Sequence, residues 1–223
     1  MSRIIEKVNR PSKEIIDRFK KVSPSELGHE IEFGFISSDL KSLGAKISFA
    51  GPAITVKIPP DDSTMVYKAL SMAQPGDVLV VDMQGDKKYA CWGEIVTLTA
   101  KKYGVVAALV DGPIVDSKEI IENQFPIYAR CTSALTTRRY GRGGDINVPV
   151  QCGGVVVKPG DVVVGNDDGV CIIPLEDVDK VVKLAEAAEE KDAVRKQWFK
   201  SNADILEKNG TNKLIANMNI SYE

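Results

Sequence analysis

Residues 76–116 carry the strongest indication of the architecture, and their sequence is GDVLVVDMQGDKKYACWGEIVTLTAKKYGVVAALVDGPIVD. The apolar runs at 77–82 and 105–110 predict two buried strands, and the segment that begins at Gly93 predicts a helix between them. Such a strand–helix–strand unit indicates a parallel sheet and an α/β fold. Free amides at the helix start and the carboxylate of Asp116 would face one crevice, because ligands bind at the carboxyl ends of such strands. We therefore expect a site for a small anion and a hard divalent cation.

The upstream sequence predicts further alternation of helices and strands. An early proline and apolar residues at helical spacing predict an N-terminal helix over 11–19. A short helix is expected after Ser38, ending at Gly44, followed by a strand over 53–58 and a helix over 63–73. This alternation extends the α/β pattern to the first half of the chain.

The downstream sequence predicts a different pattern. From Ile146 onward, short β-runs (INVPV, GVVVKPGD, VVVGNDDGV and CIIP) are separated by Gly, Pro and Asp, which predicts neighbouring strands without helices between them. An apolar stripe among charges predicts a long helix from Leu175 to about Lys200, followed by a helical arm at a subunit contact. The expected units are an N-terminal helix (1–20), one central domain (21–175), and a C-terminal helix and tail (176–223).

Composition narrows the class of protein. The chain has 223 residues, of which 43% are hydrophobic, so it can bury one substantial core. With 29 basic and 31 acidic residues its formal net charge is -2, which does not indicate nucleic-acid binding. No apolar run is long enough for a membrane span and no signal-peptide pattern opens the chain, so we expect no membrane association and a cytoplasmic location. A local basic cluster is either a solvated loop or an anion-binding loop; it contains Arg138, Arg139 and Arg142.

Histidine and cysteine usage restricts the metal chemistry. The single histidine, His29, excludes a multi-histidine site, so any metal would be held mainly by oxygen. The four cysteines lack the paired spacing of a structural zinc site and are expected to be buried free thiols; they are Cys91, Cys131, Cys152 and Cys171.

A set of short motifs, ordered along residues 20–190, resembles the family of the regulator of ribonuclease activity A and the 4-hydroxy-4-methyl-2-oxoglutarate/4-carboxy-4-hydroxy-2-oxoadipate aldolases. The motifs are GPAITV at 51–56, PGDVLVVD at 75–82, GEI at 93–95, DG at 111–112 with Asp116, NVPV at 147–150, GGV at 153–155, KPGD at 158–161, DDGV at 167–170 and IP at 173–174. The resemblance implies a swivelling β/β/α sandwich with a long C-terminal helix. It also implies a homotrimer or homohexamer with active sites between subunits.

The resemblance also implies roles for individual residues. The backbone of Gly93, Glu94, Ile95 and Val96 would bind the carboxylate of a 2-oxoacid, and Asp116 would ligate Mg²⁺ or Mn²⁺ and act in catalysis. Glu94 would act through a metal-bound water. Carboxylate oxygens and water suit such a hard cation, which would chelate a 2-oxoacid and stabilise the charge left when a carbon–carbon bond breaks.

This chain departs from the family at one substrate-contacting position. The family pattern before the metal aspartate is Asp-Gly-x-x-Arg-Asp, and here the arginine is Val115. Losing a donor aimed at transition-state charge typically costs about 10²–10³ in rate. Another basic side chain could enter the crevice in place of the arginine. The family places a basic residue on the loop before its NVPV strand, which makes Arg139 a catalytic candidate. The other candidate cations are Lys118, Arg130, Arg138 and Arg142.

Structural roles compete with these functional ones. Gly93 could simply allow close packing at a helix start, and Asp116 could be the N-cap of the helix that follows it. Asp82 and Asp111 are expected to order loops, and residues 167–169 (Asp-Asp-Gly) to form a hairpin turn. In the aldolases, a glutamate from the C-terminal region of a neighbouring subunit approaches the metal-bound water. Most of the glutamates of the long helix are nevertheless expected to form a solvated charged face; they are Glu186, Glu189 and Glu190.

Two functions follow from the sequence. The first is a divalent-metal-dependent lyase, of aldolase or decarboxylase type, that acts on a small anionic 2-oxoacid, with a changed specificity where Val115 replaces the arginine. The alternative is a non-catalytic regulator that binds a protein partner such as a ribonuclease or a helicase.

Overall fold

A computed structural model describes residues 2–44, 46–201 and 204–221. The predicted terminal segments therefore include positions outside the described residues, at 1, 202–203 and 222–223. The helices are α1 (Lys13–Phe19), α2 (Pro24–Leu27), α3 (Thr64–Met72), α4 (Glu94–Lys102), α5 (Ser117–Glu122), α6 (Val178–Trp198), α7 (Ile205–Lys208) and α8 (Thr211–Ala216). The strands are β1 (Lys41–Leu43), β2 (Ser48–Lys57), β3 (Val78–Asp82), β4 (Ala107–Ile114), β5 (Ile127–Thr132), β6 (Asp145–Ile146), β7 (Val150–Cys152), β8 (Val155–Val157), β9 (Val162–Asn166) and β10 (Val170–Ile173).

One mixed sheet forms the centre of the molecule. Its order within the described residues is β1-β5-β4-β3-β2-β9-β10, and β6 also pairs with β2. Strands β2 to β5 are mutually parallel, as the strand–helix–strand pattern predicts, whereas β1, β6 and β9 are antiparallel to their neighbours. The long strand β2 joins two parts of the sheet, because its first half pairs with β9 and its second half with β3.

Three apolar layers surround this sheet. Helices α3, α4 and α5 cover one face of β2 to β5, and the hairpin of β7 and β8 covers the other face. Helices α1, α2 and α6 pack on β9 and β10 through residues such as Phe19, Leu27 and Val182. Sheet, hairpin and helices therefore form the β/β/α sandwich with a long C-terminal helix that the family resemblance implies.

Two local predictions are wrong. The helix expected after Ser38 and ending at Gly44 is a turn followed by the short strand β1, which pairs with β5 through Lys41 and Ala129. The run INVPV is not one strand, because Asn147 has a φ of 56° and separates β6 from β7. In both places long-range pairing or a left-handed residue overrides the local pattern.

The ends of the chain add an extended strap and a helical arm. Before α1, Ile4 pairs with Ile146 of β6, and the guanidinium of Arg10 binds both carboxylate oxygens of the buried Asp77 at 3.0 and 2.8 Å. The long helix predicted from Leu175 is confirmed as a 3₁₀ turn, Leu175–Asp177, followed by α6. The described part of the tail is helical in α7 and α8. Over the described residues, no helix has the length and apolar character needed to cross a membrane.

Candidate functional site

The end of β4 and the start of α4 meet as the sequence predicts. The amide of Val115 donates to the carbonyl of Trp92 at 2.8 Å, which sets the two segments side by side. The next residue, Asp116, adopts a left-handed conformation with φ 54° and ψ 43°. Its Oδ2 accepts a hydrogen bond from the amide of Glu94 at 3.0 Å. The carboxylate therefore lies at the positive end of α4, where a negative charge is favoured.

Asp116 consequently does not cap its own helix by its side chain. It occupies the N-cap position of α5, yet no side-chain capping hydrogen bond is formed there. The capping contact is made across 22 residues to α4 instead. This corrects the local N-cap interpretation and leaves Oδ1 with no hydrogen-bond donor among the described residues.

Gly93 is required by this contact. A Cβ atom built at Gly93 would lie 2.5 Å from Oδ2 of Asp116 and 2.9 Å from Cγ1 of Val115. Its φ of -153° is extended backbone that any residue adopts, so the requirement is for space and not for an unusual conformation. The structure thus shows the close-packing role considered from sequence, and this packing positions the carboxylate of Asp116.

Buried side chains hold the first turn of α4 in place. The indole Nε1 of Trp92 donates to Oγ1 of Thr97 at 2.9 Å, and that hydroxyl donates to the carbonyl of Gly93 at 3.0 Å. The ring of Trp92 stacks on Phe125 with centroids 5.8 Å apart. A rigid scaffold therefore supports an exposed carboxylate.

Backbone donors remain available on the same turn. The amide of Glu94 is engaged by Asp116, whereas those of Ile95 and Val96 meet no acceptor within the described part of the chain. The side chain of Ile95 is 63% exposed, and Glu94 is half-buried. Free amides at a helix N-terminus suit an anionic ligand, and the neighbouring aspartate and glutamate suit a hard cation bound with it.

The donor set fits a magnesium-type ion. Mg²⁺ is usually held by one or two carboxylates together with waters and ligand oxygens. Asp116 could provide the direct ligand and Glu94 could orient a bound water. In residues 2–44, 46–201 and 204–221, no group of three or more His, Cys, Asp or Glu side chains is placed to hold a metal. A weakly chelating site of this kind, which a substrate would complete, fits these residues better than a closed metal cage.

Three of the candidate cations have partners elsewhere. Arg139 lies over the ring of Tyr67, 5.5 Å from its centroid, and Lys118 is 3.8 Å from Glu122 on its own helix. Arg130 forms an ion pair with the buried Asp111. Val115 itself is half-buried beside Gly93. The structure thus brings Gly93, Glu94, Ile95, Val96, Val115 and Asp116 together, and it shows Arg139 against α3.

The ion pair of Arg130 belongs to a buried network that the sequence did not reveal. Asp111 is 2% exposed, and its Oδ2 accepts a hydrogen bond from the amide of Gly153 at 2.9 Å. The hydrogen bond that Arg130 donates to Asp111 favours the charged guanidinium and raises the pKa of Arg130, although partial burial opposes this. Asp82, the register partner of Asp111, accepts from the amide of Gln151 at 3.3 Å. Both aspartates thus bind backbone amides of the hairpin of β7 and β8, which agrees with the loop-ordering role expected from the sequence.

The glutamates of α6 and the turn at 167–169 behave as expected of structural elements. Glu186 binds Arg18 of α1 through two contacts of 2.7 Å, while Glu189 and Glu190 are exposed. Residues 167–169 connect the antiparallel strands β9 and β10.

Three of the four thiols are buried, and the fourth corrects the prediction. Burial raises the pKa of Cys91 to about 12 and that of Cys171 to about 12, and it raises the pKa of Cys152 further. Cys131 is exposed near the end of β5. The residues of β5 change from buried to exposed towards the end of the strand, so Cys131 lies outside the core.

The fold and the site together define a class, namely β/β/α sandwich proteins with an acidic helix N-terminus at the carboxyl edge of a parallel sheet. Comparison with known families gives the assignment. The RraA-like model, described as Aldolase/RraA, matches residues 14–172. The chain belongs to the RraA-like family.

Individual relatives agree with this assignment. A protein of Halalkalibacterium halodurans, named provisionally as a 4-hydroxy-4-methyl-2-oxoglutarate aldolase, is 37% identical over 167 residues, which cover 75% of this chain and 79% of the relative. The structure of Streptomyces coelicolor RraAS2, described as an unusual member of the RNase ES inhibitor RraA protein family, is 28% identical. It superposes with a TM-score of 0.74 over 84% of this chain and 98% of that one. The RNA-processing inhibitor RraA from Thermus thermophilis is also 28% identical, with a TM-score of 0.58 over 63% of this chain and 84% of that one.

Proposed function

We propose that this protein is a divalent-metal-dependent carbon–carbon lyase that cleaves a small anionic 2-oxoacid. The observation that carries the proposal is the carboxylate of Asp116 at the N-terminus of α4, beside Glu94 and two free backbone amides. The similarity to a relative named as an aldolase supports the same reaction class. Mg²⁺ or Mn²⁺ is the metal that this oxygen donor set suits.

In this proposal each residue of the site has a separate role. Asp116 would hold the metal through Oδ1, while its Oδ2 stays fixed to the amide of Glu94. The amides of Ile95 and Val96 would bind the carboxylate of the substrate, since they point from the positive end of α4. Glu94 would hold or accept a proton through a water. A bound divalent cation would polarise the carbonyl of the 2-oxoacid and stabilise the negative charge that develops as the bond breaks.

Val115 determines how strongly this site can stabilise charge. An apolar side chain replaces the family's arginine, so the site lacks a hydrogen-bond donor at that position. Removal of one such donor typically costs about 10²–10³ in rate. We propose slow turnover of the family's usual substrates, or a substrate with an apolar group beside Val115.

The test is pyruvate release from oxaloacetate and from 4-hydroxy-4-methyl-2-oxoglutarate, with Mg²⁺, with Mn²⁺ and with EDTA. Wild type is compared with Asp116→Ala and Val115→Arg. We expect metal-dependent release that Asp116→Ala abolishes and Val115→Arg raises. Isothermal titration measures Mn²⁺ binding in the same variants, and affinity that is unchanged in Asp116→Ala would reject the metal assignment.

The assembly is a second part of the proposal. One chain brings only Glu94 and Asp116 to this point as acidic groups within its described residues. We propose a homotrimer or homohexamer in which a neighbouring subunit completes the site. Sedimentation velocity measures the assembly, and a monomer with full activity would contradict it.

A non-catalytic regulator is the second candidate. Val115 favours it, and so does the similarity to RraAS2, which is described as a member of an RNase inhibitor family. In this case the protein would inhibit an endoribonuclease by binding it. Cleavage of a fluorogenic RNA by an RNase E-type enzyme, measured with increasing amounts of this protein, tests the idea. Equal inhibition by wild type and Asp116→Ala, without pyruvate release by either, would favour the regulator.

A further inference from the structure

Two loops at the carboxyl edge of the sheet are joined beside the candidate site. The amide of Ala90 donates to the carbonyl of Leu135 at 2.8 Å, and the amide of Thr137 donates back to Ala90 at 2.9 Å. The hydroxyl of Ser133 donates to the carbonyl of Lys88 at 2.6 Å. Loop 83–92 and loop 133–144 therefore form one continuous surface.

This surface leads directly to the site. The amide of Cys91 donates to the carbonyl of Pro113 at 3.3 Å, and the carbonyl of Trp92 accepts from Val115 at 2.8 Å. The next residue of each segment belongs to the site, Gly93 on one side and Asp116 on the other. The loops and the site thus share one edge of the molecule.

A buried carboxylate fixes the loop that carries the arginines. Asp62 is fully buried, and it accepts hydrogen bonds from the hydroxyl of Thr64 at 2.6 Å, the amide of Arg142 at 2.5 Å and the amide of Tyr140 at 3.2 Å. Burial alone would raise the pKa of Asp62, but these hydrogen bonds outweigh it and lower the pKa below its ordinary value. The loop is therefore anchored to a buried carboxylate that is charged at neutral pH.

Four exposed cations, which we call the basic surface, stand on these loops; they are Lys87, Lys88, Arg138 and Arg139. In the part of the chain that the structure describes, none of them has a carboxylate within ion-pair distance, whereas Arg142 binds Asp61 at 2.5 Å. Two of the cations lie over rings, Lys88 over Tyr89 at 5.3 Å and Arg139 over Tyr67 at 5.5 Å. Asp86 on the same loop accepts hydrogen bonds from the amides of Lys88 and Tyr89 at 3.0 and 2.7 Å, so it offsets the positive charge of the four cations only in part.

We propose that the basic surface is a capture site for the dianionic substrate of the adjacent centre, and this rests on the proposed function. Its side chains attract a small dicarboxylate and raise its local concentration, without contacting the reacting atoms. The cations on the loops thus attract the substrate from outside the centre, where Val115, unlike the family's arginine, has no positive charge. Electrostatic attraction of this kind raises rates of encounter by about 10–10³ and weakens with salt.

The first experiment measures kcat and KM for pyruvate release from oxaloacetate, at a fixed Mg²⁺ concentration, from about 0.01 to about 0.1 M ionic strength, over which the Debye length falls from about 30 to about 10 Å. The test variant replaces three cations of the basic surface, Lys87, Lys88 and Arg138, by Gln and keeps Arg139, because the family resemblance makes Arg139 a catalytic candidate. The control variant makes the same change of charge at three exposed lysines elsewhere, Lys7, Lys21 and Lys180. Circular dichroism verifies that both variants are folded.

The expected result separates capture from chemistry. The test variant loses about tenfold in kcat/KM at the lower ionic strength, keeps its kcat, and becomes nearly insensitive to salt. The control variant keeps the salt dependence of wild type. Equal salt dependence in wild type and both variants would overturn the proposal while leaving the lyase function intact.

A second readout does not need turnover. Phenylglyoxal modifies exposed arginines, and mass spectrometry measures the extent at Arg138, Arg139 and the exposed Arg195 of α6. Oxalate, a small dianion, is expected to protect Arg138 and Arg139 several-fold but not Arg195. Protection in a protein without lyase activity would support the capture site and reject the proposed reaction.

Absence of oxalate protection rejects the capture site. If, in addition, a labelled single-stranded oligonucleotide binds to wild type but not to the test variant, the basic surface is assigned to nucleic acid instead.

Discussion

Replacing Gly93 by alanine should disturb the site more than the fold. The added Cβ would lie 2.5 Å from Oδ2 of Asp116 and 2.9 Å from Cγ1 of Val115, closer than such atoms approach. The backbone at Gly93 needs no change, because its φ of -153° suits alanine. The carboxylate would therefore rotate away and release the amide of Glu94.

The loss of one charge-assisted cap sets the magnitude. Such a hydrogen bond at a helix N-terminus contributes about 1–2 kcal/mol. For a chain of this size, each kcal/mol shifts the melting temperature by about 2–4 °C. Gly93→Ala should therefore lower the melting temperature by about 2–8 °C. It should also weaken Mn²⁺ binding, because the carboxylate that we propose as the metal ligand is displaced.

A double-mutant cycle in urea unfolding measures the contact. Asp116→Ala removes the same hydrogen bond, so Gly93→Ala should cost clearly less in that background than in wild type. Gly169→Ala is the matched control, since no atom lies within 4 Å of its built Cβ and its cost should stay within about 0.5 kcal/mol. Additive effects, or a Gly93→Ala variant as stable as the control, would refute the packing of Asp116 on α4.

Three further predictions follow from the buried groups. Asp111→Ala should lower the free energy of unfolding by about 3–5 kcal/mol because it strands the guanidinium of a largely buried pair, whereas Glu186→Ala, which breaks a pair that solvent screens, should cost much less in the same urea titration. Asp62→Asn should reduce stability at neutral pH, and its deficit relative to wild type should shrink as the pH falls below the ordinary aspartate value of 3.8, because the lowered pKa makes the charged form the stabilising one; an equal deficit at every pH would contradict this. Ellman's reagent should modify about one thiol per native chain, and none after Cys131→Ser, because the other cysteines are buried; faster modification of several thiols would contradict their burial.

Much of the fold could be predicted from local sequence because the elements that build the sheet are strongly patterned. The apolar runs that became β3 and β4 are buried on both faces, and the helix between them begins at Glu94 beside the predicted glycine. The errors fall where a distant segment decides the conformation. Strand β1 exists because Lys41 and Leu43 pair with β5, more than 80 residues away along the chain.

The candidate site was only partly predictable for the same reason. Gly93, Glu94 and Asp116 stand in recognisable motifs, so their identity could be read from the chain. The contact that matters joins Asp116 to α4 and not to the adjacent α5, and no local rule distinguishes the two helices. The ion pair of Asp111 and Arg130 was similarly hidden, because it depends on the parallel register of β4 and β5.

The position of Val115 links the local packing to the proposed electrostatics. Its Cγ1 lies against the backbone of Gly93, so an apolar β-branched side chain fills the space between the end of β4 and the start of α4. The centre therefore has an apolar side chain, and no positive charge, at position 115, while four exposed cations stand on the adjoining loops. Cations on these loops attract the dianionic substrate, but they stabilise its bound state and its transition state equally. They should therefore raise kcat/KM and leave kcat unchanged. Val115→Arg restores a cation inside the centre and should act mainly on kcat. The two sets of variants thus separate the attraction of the substrate from the chemistry that follows.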